Sequence, residues 1–289
     1  MESLYPSRIY SEPKLLERKD PVVYTDQRSN DAVSSTDKEF FEKNGFLIYD
    51  ELFTPIEVLD YNTEFEKMSA DSVLNKREEF IKEPGSQIVR SIFYVHKLSQ
   101  LFNKLSNDQR IKNVVNFLLD SETYVHQSRI NAKPGFTGKE FYWHSDFETW
   151  HIEDGMPNMR TISCLITLTE NKSFNGSLMF FPGSHKKFVS CVGATPEDHY
   201  KHSLKKQEYG VPDHGSLEQF YNDYGIKVCE GKPGSVIFFD CNLMHGSNGN
   251  ISPLPRRNVF FVYNSVKNKL AEPFGGQRPR PNFIGERKF

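Results

Sequence analysis

The stretch Thr161-Ile162-Ser163-Cys164-Leu165-Ile166-Thr167-Leu168 decides the fold. Ile162, Cys164, Ile166 and Leu168 alternate with Thr161, Ser163, Leu165 and Thr167, which is the two-residue period of a buried strand. Working outward, residues 177–181, 235–240 and 258–264 have the same strand character. Asn175-Gly176, Pro182-Gly183 and Pro233-Gly234 separate them as turns. Many short strands with Gly and Pro punctuation predict a mainly β protein with a jelly-roll sandwich or barrel at its centre.

Upstream of about residue 123 the period is helical. Thr36-Asp37-Lys38-Glu39 reads as a capping box, and Gly45 as the left-handed stop of a short helix. Thr54-Pro55-Ile56-Glu57 repeats the start signal with proline at the first helical position. Ile111, Val114, Val115, Leu118 and Leu119 recur at helical spacing. These helices carry no chemical constellation and are expected to buttress the sheet. The first 35 residues, polar and broken by Pro13 and Pro21, are expected to lie over the surface or be disordered. The polar stretch 191–228 is long enough for a lid or an excursion from the sheet. A single domain over 1–289 follows: arm 1–35, mainly helical support over about 36–120, jelly-roll core over about 123–270, and tail 271–289.

Composition removes several function classes. With 36 Lys+Arg against 38 Asp+Glu the net charge is −2, too balanced for a protein that tracks nucleic-acid phosphates. The 37% hydrophobic content is that of a globular chain, and the 24 Phe suit a β-rich core or an aromatic pocket. No run approaches the roughly 18 apolar residues of a membrane span, and the first 30 residues lack a signal-peptide core. Cys164, Cys191, Cys229 and Cys241 show no CxxC pairing, so reduced buried thiols and a cytoplasmic protein are expected.

The chemistry concentrates in Phe141-Tyr142-Trp143-His144-Ser145-Asp146-Phe147-Glu148-Thr149-Trp150. On an extended strand, His144 and Asp146 share a face and can converge on one ion. His245, far downstream at the end of an apolar strand, supplies the third ligand. Two histidines and one carboxylate form the facial triad of non-haem Fe(II), with positions left for a keto acid and O2. Zinc is the rival ion, but no His-Glu-x-x-His helix is present. Arg256, leading into the next strand, can grip a carboxylate through two parallel hydrogen bonds. Arg257 competes for that role, but alternation sends the two to opposite faces and only one enters the barrel. His126, His151 and His185 read as structural, and His199, His202 and His214 as solvated.

The run from Gln127 to Trp150, QSRINAKPGFTGKEFYWHSDFETW, resembles the signature of ectoine hydroxylases. These belong to the phytanoyl-CoA dioxygenase-like group of iron- and 2-oxoglutarate-dependent oxygenases. The resemblance extends to Arg90-Ser91-Ile92-Phe93, Pro182-Gly183-Ser184-His185 and the Pro279-Arg280-Pro281 tail. It implies a double-stranded β-helix core, a homodimer, and conversion of ectoine to 5-hydroxyectoine. It puts Fe(II) on His144, Asp146 and His245, and 2-oxoglutarate on Lys133 and Arg256. It puts ectoine on Gln127, Trp150 and Arg280. Ectoine carries a carboxylate that Arg280 can pair and an amidinium that the Trp150 ring can face. Lys133 on its own reads as an exposed loop lysine, Trp150 as core and Arg280 as a solvated tail residue. Two other functions remain: a hydroxylase of proline or a similar small molecule, and a non-catalytic jelly-roll binding or storage protein.

Overall fold

The computed structural model of the protein describes residues 3–83, 85–193, 196 and 210–287. The strands are β1 (Lys14–Glu17), β2 (Phe46–Tyr49), β3 (Phe80–Lys82), β4 (Val89–Phe93), β5 (Thr123–Lys133), β6 (Phe141–His144) and β7 (Thr161–Thr167). They continue with β8 (Leu178–Phe180), β9 (Lys187–Ser190), β10 (Lys227–Cys229), β11 (Val236–Asp240), β12 (His245–Ser247) and β13 (Arg256–Ser265). The helices used below are α1 (Ser35–Asn44), α2 (Pro55–Ala70), α3 (Val95–Leu98), α4 (Gln100–Ser106), α5 (Gln109–Leu119), α6 (Asp146–Thr149) and α7 (His214–Tyr224).

The quoted stretch is β7, buried along its whole length. It lies inside a seven-stranded sheet ordered β2-β11-β7-β13-β5-β4-β3, facing a four-stranded sheet ordered β10-β8-β12-β6. The alternation decides which layer each residue serves. Ile162, Cys164 and Ile166 join Val236, Phe238, Val259 and Phe261 in one core with α2, α4 and α5. Leu165, Ile237, Phe239 and Phe260 point the other way, to Leu178 and Phe180 of the smaller sheet. The result is a jelly-roll sandwich with helices packed on its larger sheet.

The start of α2 matches expectation: Thr54 caps it, Glu57 closes the box and Pro55 opens the helix. The first helix starts earlier than Thr36, because Ser34 and Asp37 form the capping box and the Val33 side chain beside them is buried. Gly45 ends it with φ at +82°, where a side chain would meet the His185 ring. The expected helical stretch over 36–120 also contributes β2, β3 and β4 to the large sheet.

The arm departs most from its sequence reading. It forms β1, paired antiparallel with β9, and it buries Tyr5, Ser7 and Arg8. Tyr5 packs edge-on to Phe147 at 5.2 Å, while its hydroxyl bonds Asp20 at 2.8 Å. All four cysteines are free and buried. Within the polar stretch 191–228, α7 is helical from His214, and His199 and His202 lie outside the described residues. Among the described residues no helix is long and apolar enough to cross a membrane.

Candidate metal centre and its neighbourhood

His144 ends β6 and His245 opens β12, and antiparallel pairing sets the two residues directly opposite each other. Their rings stand 4.2 Å apart between centroids. Asp146 is not on a continuous strand. Ser145 is extended and caps α6, so Asp146 begins a helical turn, and this strand-to-helix corner turns its carboxylate toward both rings. Asp146 Oδ1 lies 3.8 Å from His144 Nε2, and Oδ2 lies 3.9 Å from His245 Nε2. One ligand atom from each residue falls within 4.8 Å of the other two.

The donors are prepared for a cation. His144 Nδ1 is 2.7 Å from the Tyr142 carbonyl, and His245 Nδ1 is 2.9 Å from the Leu243 carbonyl. Each Nδ1 therefore carries the proton, and each Nε2 presents a lone pair to the centre. Burial, with His245 beside it, pushes the His144 imidazole down to about 3, so it stays neutral. Ser163 on β7 donates to Asp146 Oδ2 at 3.3 Å and fixes the carboxylate. The donor set suits an iron(II)-type ion.

A second cluster lies along the inner face of β5. Gln127, Arg129, Asn131 and Lys133 alternate with Ser128, Ile130 and Ala132, and Lys133 stands opposite Arg256 on β13. Lys133 is not an exposed loop lysine: it is 0% exposed, with Nζ donating to Ser247 Oγ at 2.8 Å and to the Asn248 carbonyl. Burial, reinforced by Arg256 and Arg90, pushes its ammonium down to about 5. Arg256 is 1% exposed and donates to Asn131 Oδ1, while its buried Nε has no partner among the described residues. Burial, then Arg129 and Arg90, push its guanidinium down to about 9. A desolvated guanidinium beside a buried lysine amine, with an orphaned donor, is what an anion would relieve. Arg257 leaves by the opposite face, bonded to Glu66 at 2.5 Å and stacked on Phe65.

At the other end of β5 stand the residues expected for substrate. Gln127 Nε2 donates to the Ile284 carbonyl at 2.7 Å, which ties the tail to the strand and leaves Oε1. Trp150 is buried with Phe147, Met156 and Val262, and Val262 is the cross-strand neighbour of Gln127. The His126 ring meets Trp150 edge-on at 5.5 Å. Arg280 is buried rather than solvated: Asp154 takes its Nε at 2.8 Å and its Nη2 at 2.6 Å. Burial opposes the Asp154 charge, but Arg280 and His126 outweigh it and hold the carboxyl far below its ordinary range.

His126 bonds Asp154, His151 bonds Ser3 and the Met156 carbonyl, and His185 bonds the Glu42 carbonyl. All three are structural. Sequence reasoning missed Arg129, half-buried beside Phe260 with its Nε unpartnered among the described residues, and the buried carboxylates Glu148, Glu153 and Asp154. Arg129 was detectable, because Gln127, Arg129, Asn131 and Lys133 form an unbroken polar face on a strand.

A buried two-histidine, one-carboxylate cluster between the sheets of a jelly roll defines the class of non-haem iron oxygenases. Residues 41–258 match the phytanoyl-CoA dioxygenase (PhyH) family, and the chain belongs to it. Its relatives narrow the class. It is 55% identical to the ectoine dioxygenase of Bordetella bronchiseptica, over 98% of this chain and 92% of that protein. It is 51% identical to the ectoine dioxygenase of Streptomyces coelicolor, over 99% of this chain and 95% of that one. The crystal structure of EctD from S. alaskensis with 2-oxoglutarate and 5-hydroxyectoine superposes with a TM-score of 0.90 at 43% identity, covering 99% of this chain and 95% of that one. The α-ketoglutarate-dependent carbocyclase SnoK, at 19% identity and a TM-score of 0.60, shares the fold.

Proposed function

We propose that this chain hydroxylates ectoine to 5-hydroxyectoine, with Fe(II) on His144, Asp146 and His245 and 2-oxoglutarate and O2 as cosubstrates. The observation that carries the reading is the triad itself, two histidines in cross-strand register with Asp146 facing both. It occurs in a chain similar to ectoine dioxygenases along nearly its whole length. Bound at the triad, iron with 2-oxoglutarate supplies the oxidising power: O2 is consumed, 2-oxoglutarate leaves as succinate and CO2, and one oxygen atom enters ectoine.

The protein's own part is placement. Lys133 and Arg256 take the distal carboxylate of 2-oxoglutarate, which favours the charged form of the buried lysine and gives the buried guanidinium an anionic partner. Arg257, turned to the helical layer, takes no part. Asp154 holds two donors of Arg280 and aims the remaining Nη1 at the ectoine carboxylate. Gln127 offers Oε1 to a ring N–H, and Trp150 walls the ring. The tail thereby contributes to the substrate end of a single dioxygenase domain. The same reading makes this a cytoplasmic homodimer serving compatible-solute synthesis under osmotic or heat stress, supported by the resemblance to ectoine hydroxylases.

The test is aerobic turnover with Fe(II) and 2-oxoglutarate, comparing ectoine with proline. Ectoine should drive succinate release and yield a product one oxygen atom heavier. Turnover with proline but not with ectoine, or no turnover with either, overturns the reading.

A further inference from the structure

We infer that Arg8, in the N-terminal arm, is a positioning residue for the substrate end of the site, acting through Glu148 and Glu153; the inference rests on the ectoine reading above. Arg8 has left-handed backbone, φ 61°, a conformation that persists in a non-glycine residue only when its surroundings fix it. Its side chain is held in a fork. Nε and Nη2 donate to the two oxygens of Glu148 at 2.9 and 2.7 Å, and Nη1 donates to Glu153 at 2.9 Å. Guanidinium and both carboxylates are buried.

These carboxylates sit at decisive points. Glu148 lies on α6 between the ligand Asp146 and Trp150. Glu153 lies in the π-helical turn Trp150–Asp154, beside the Asp154 that holds Arg280. Glu153 Oε2 is itself only 3.7 Å from Arg280 Nε. With Arg8 in place, Glu153 has its own cation, and Arg280 is left to Asp154. Without Arg8, Glu153 becomes a buried carboxylate whose nearest cation is Arg280, so it competes with Asp154 and swings the guanidinium that faces ectoine. Among the described residues Glu148 would keep only the Ser7 hydroxyl, at 2.6 Å.

The same two arm residues bond Cys191 and lie against Gly210. Cys191 N–H donates to Ser7 Oγ at 2.9 Å, and Arg8 N–H donates to the Cys191 carbonyl at 2.8 Å. Gly210, φ +68°, lies so close that an added Cβ would meet Arg8 Nη2 at 2.4 Å and Glu148 Oε2 at 2.5 Å. Gly210→Ala therefore disturbs the fork without changing a charge.

The experiment compares full-length Arg8→Met, Arg8→Lys and Gly210→Ala with the parent chain. One readout is KM for ectoine against KM for 2-oxoglutarate. The other is substrate-free fluorescence of Trp150 in a Trp143→Phe background, which is clean because the chain has two tryptophans. Arg8→Met should raise the ectoine KM about tenfold or more, keep the 2-oxoglutarate KM within about twofold and shift Trp150 emission. Arg8→Lys should recover part of the loss, and Gly210→Ala should show the same split if Arg8→Met does not fold. Equal rises in both KM values, or unchanged ectoine KM and emission in a folded variant, overturn the inference. If the parent chain does not turn over ectoine, the proposed function fails, while the emission comparison still decides whether Arg8 orders the Trp150 turn.

Discussion

Arg256→Ala against Arg257→Ala separates the two neighbours that strand alternation sends apart. Arg256 stands buried beside Lys133 with an Nε unpartnered among the described residues, whereas Arg257 meets Glu66 on the helical layer. Losing one partner of a buried, charge-assisted pair costs about 3–5 kcal/mol. At 1.4 kcal/mol per tenfold, that is roughly a 10²- to 4 × 10³-fold rise in the 2-oxoglutarate requirement. The Arg257 pair is different, because Glu66 has 60% of its side chain exposed. Such a pair is worth about 0.2–1 kcal/mol of stability, and nothing connects it to the cosubstrate. The assay is ectoine-dependent succinate formation over a wide range of 2-oxoglutarate concentration. Arg256→Ala should need far more cosubstrate, and Arg257→Ala should stay within about twofold of the parent. Equal effects, or the reverse ranking, would refute the assignment of the inner face to Arg256.

Three further outcomes follow from named groups. Lys133, held at about 5, is neutral in the unliganded protein at neutral pH, and a bound dianion raises its pKa toward the ordinary lysine value. Binding of 2-oxoglutarate should then take up a proton and weaken as pH rises from 6 to 9, by up to about tenfold per pH unit; calorimetry in buffers of different ionisation heat that finds no uptake would refute this. The cost of the depressed lysine is felt below its unfolded pKa and relieved toward it, so this group makes the unliganded chain more stable as pH rises, which pH-dependent denaturation checks. Thr54→Ala, which removes the cap and box of α2, should cost about 1 kcal/mol in the same measurement without changing either KM.

The parts legible in sequence were those governed by short periods. Alternation over 161–168 identified a central strand, and the same rule separated Arg256 from Arg257, because a strand with neighbours on both sides tolerates no slip of register. The Thr54 box was legible for the same reason of locality. At the first helix two overlapping boxes competed, and the burial of Val33 favoured the earlier one. The arm was illegible because Ser7 and Arg8 are buried by ion pairs and hydrogen bonds to residues 148, 153 and 191, which leave no hydrophobic period to read. Arg280 was nameable only by resemblance; that it is held by Asp154 depends on how the tail crosses the end of β5. Lys133 misleads in isolation since lysines are rarely buried, yet its polar neighbours at positions 127, 129 and 131 mark the inward face.

The proposed activity requires one ferrous ion shared by His144, Asp146 and His245. Anaerobic titration with Fe(II) of the parent chain and of His144→Ala, Asp146→Ala and His245→Ala, each with circular dichroism to confirm the fold, tests it directly. One tightly held iron per parent chain, and loss of that binding in all three folded variants, is the predicted result. Full iron loading in a folded His245→Ala variant would contradict it.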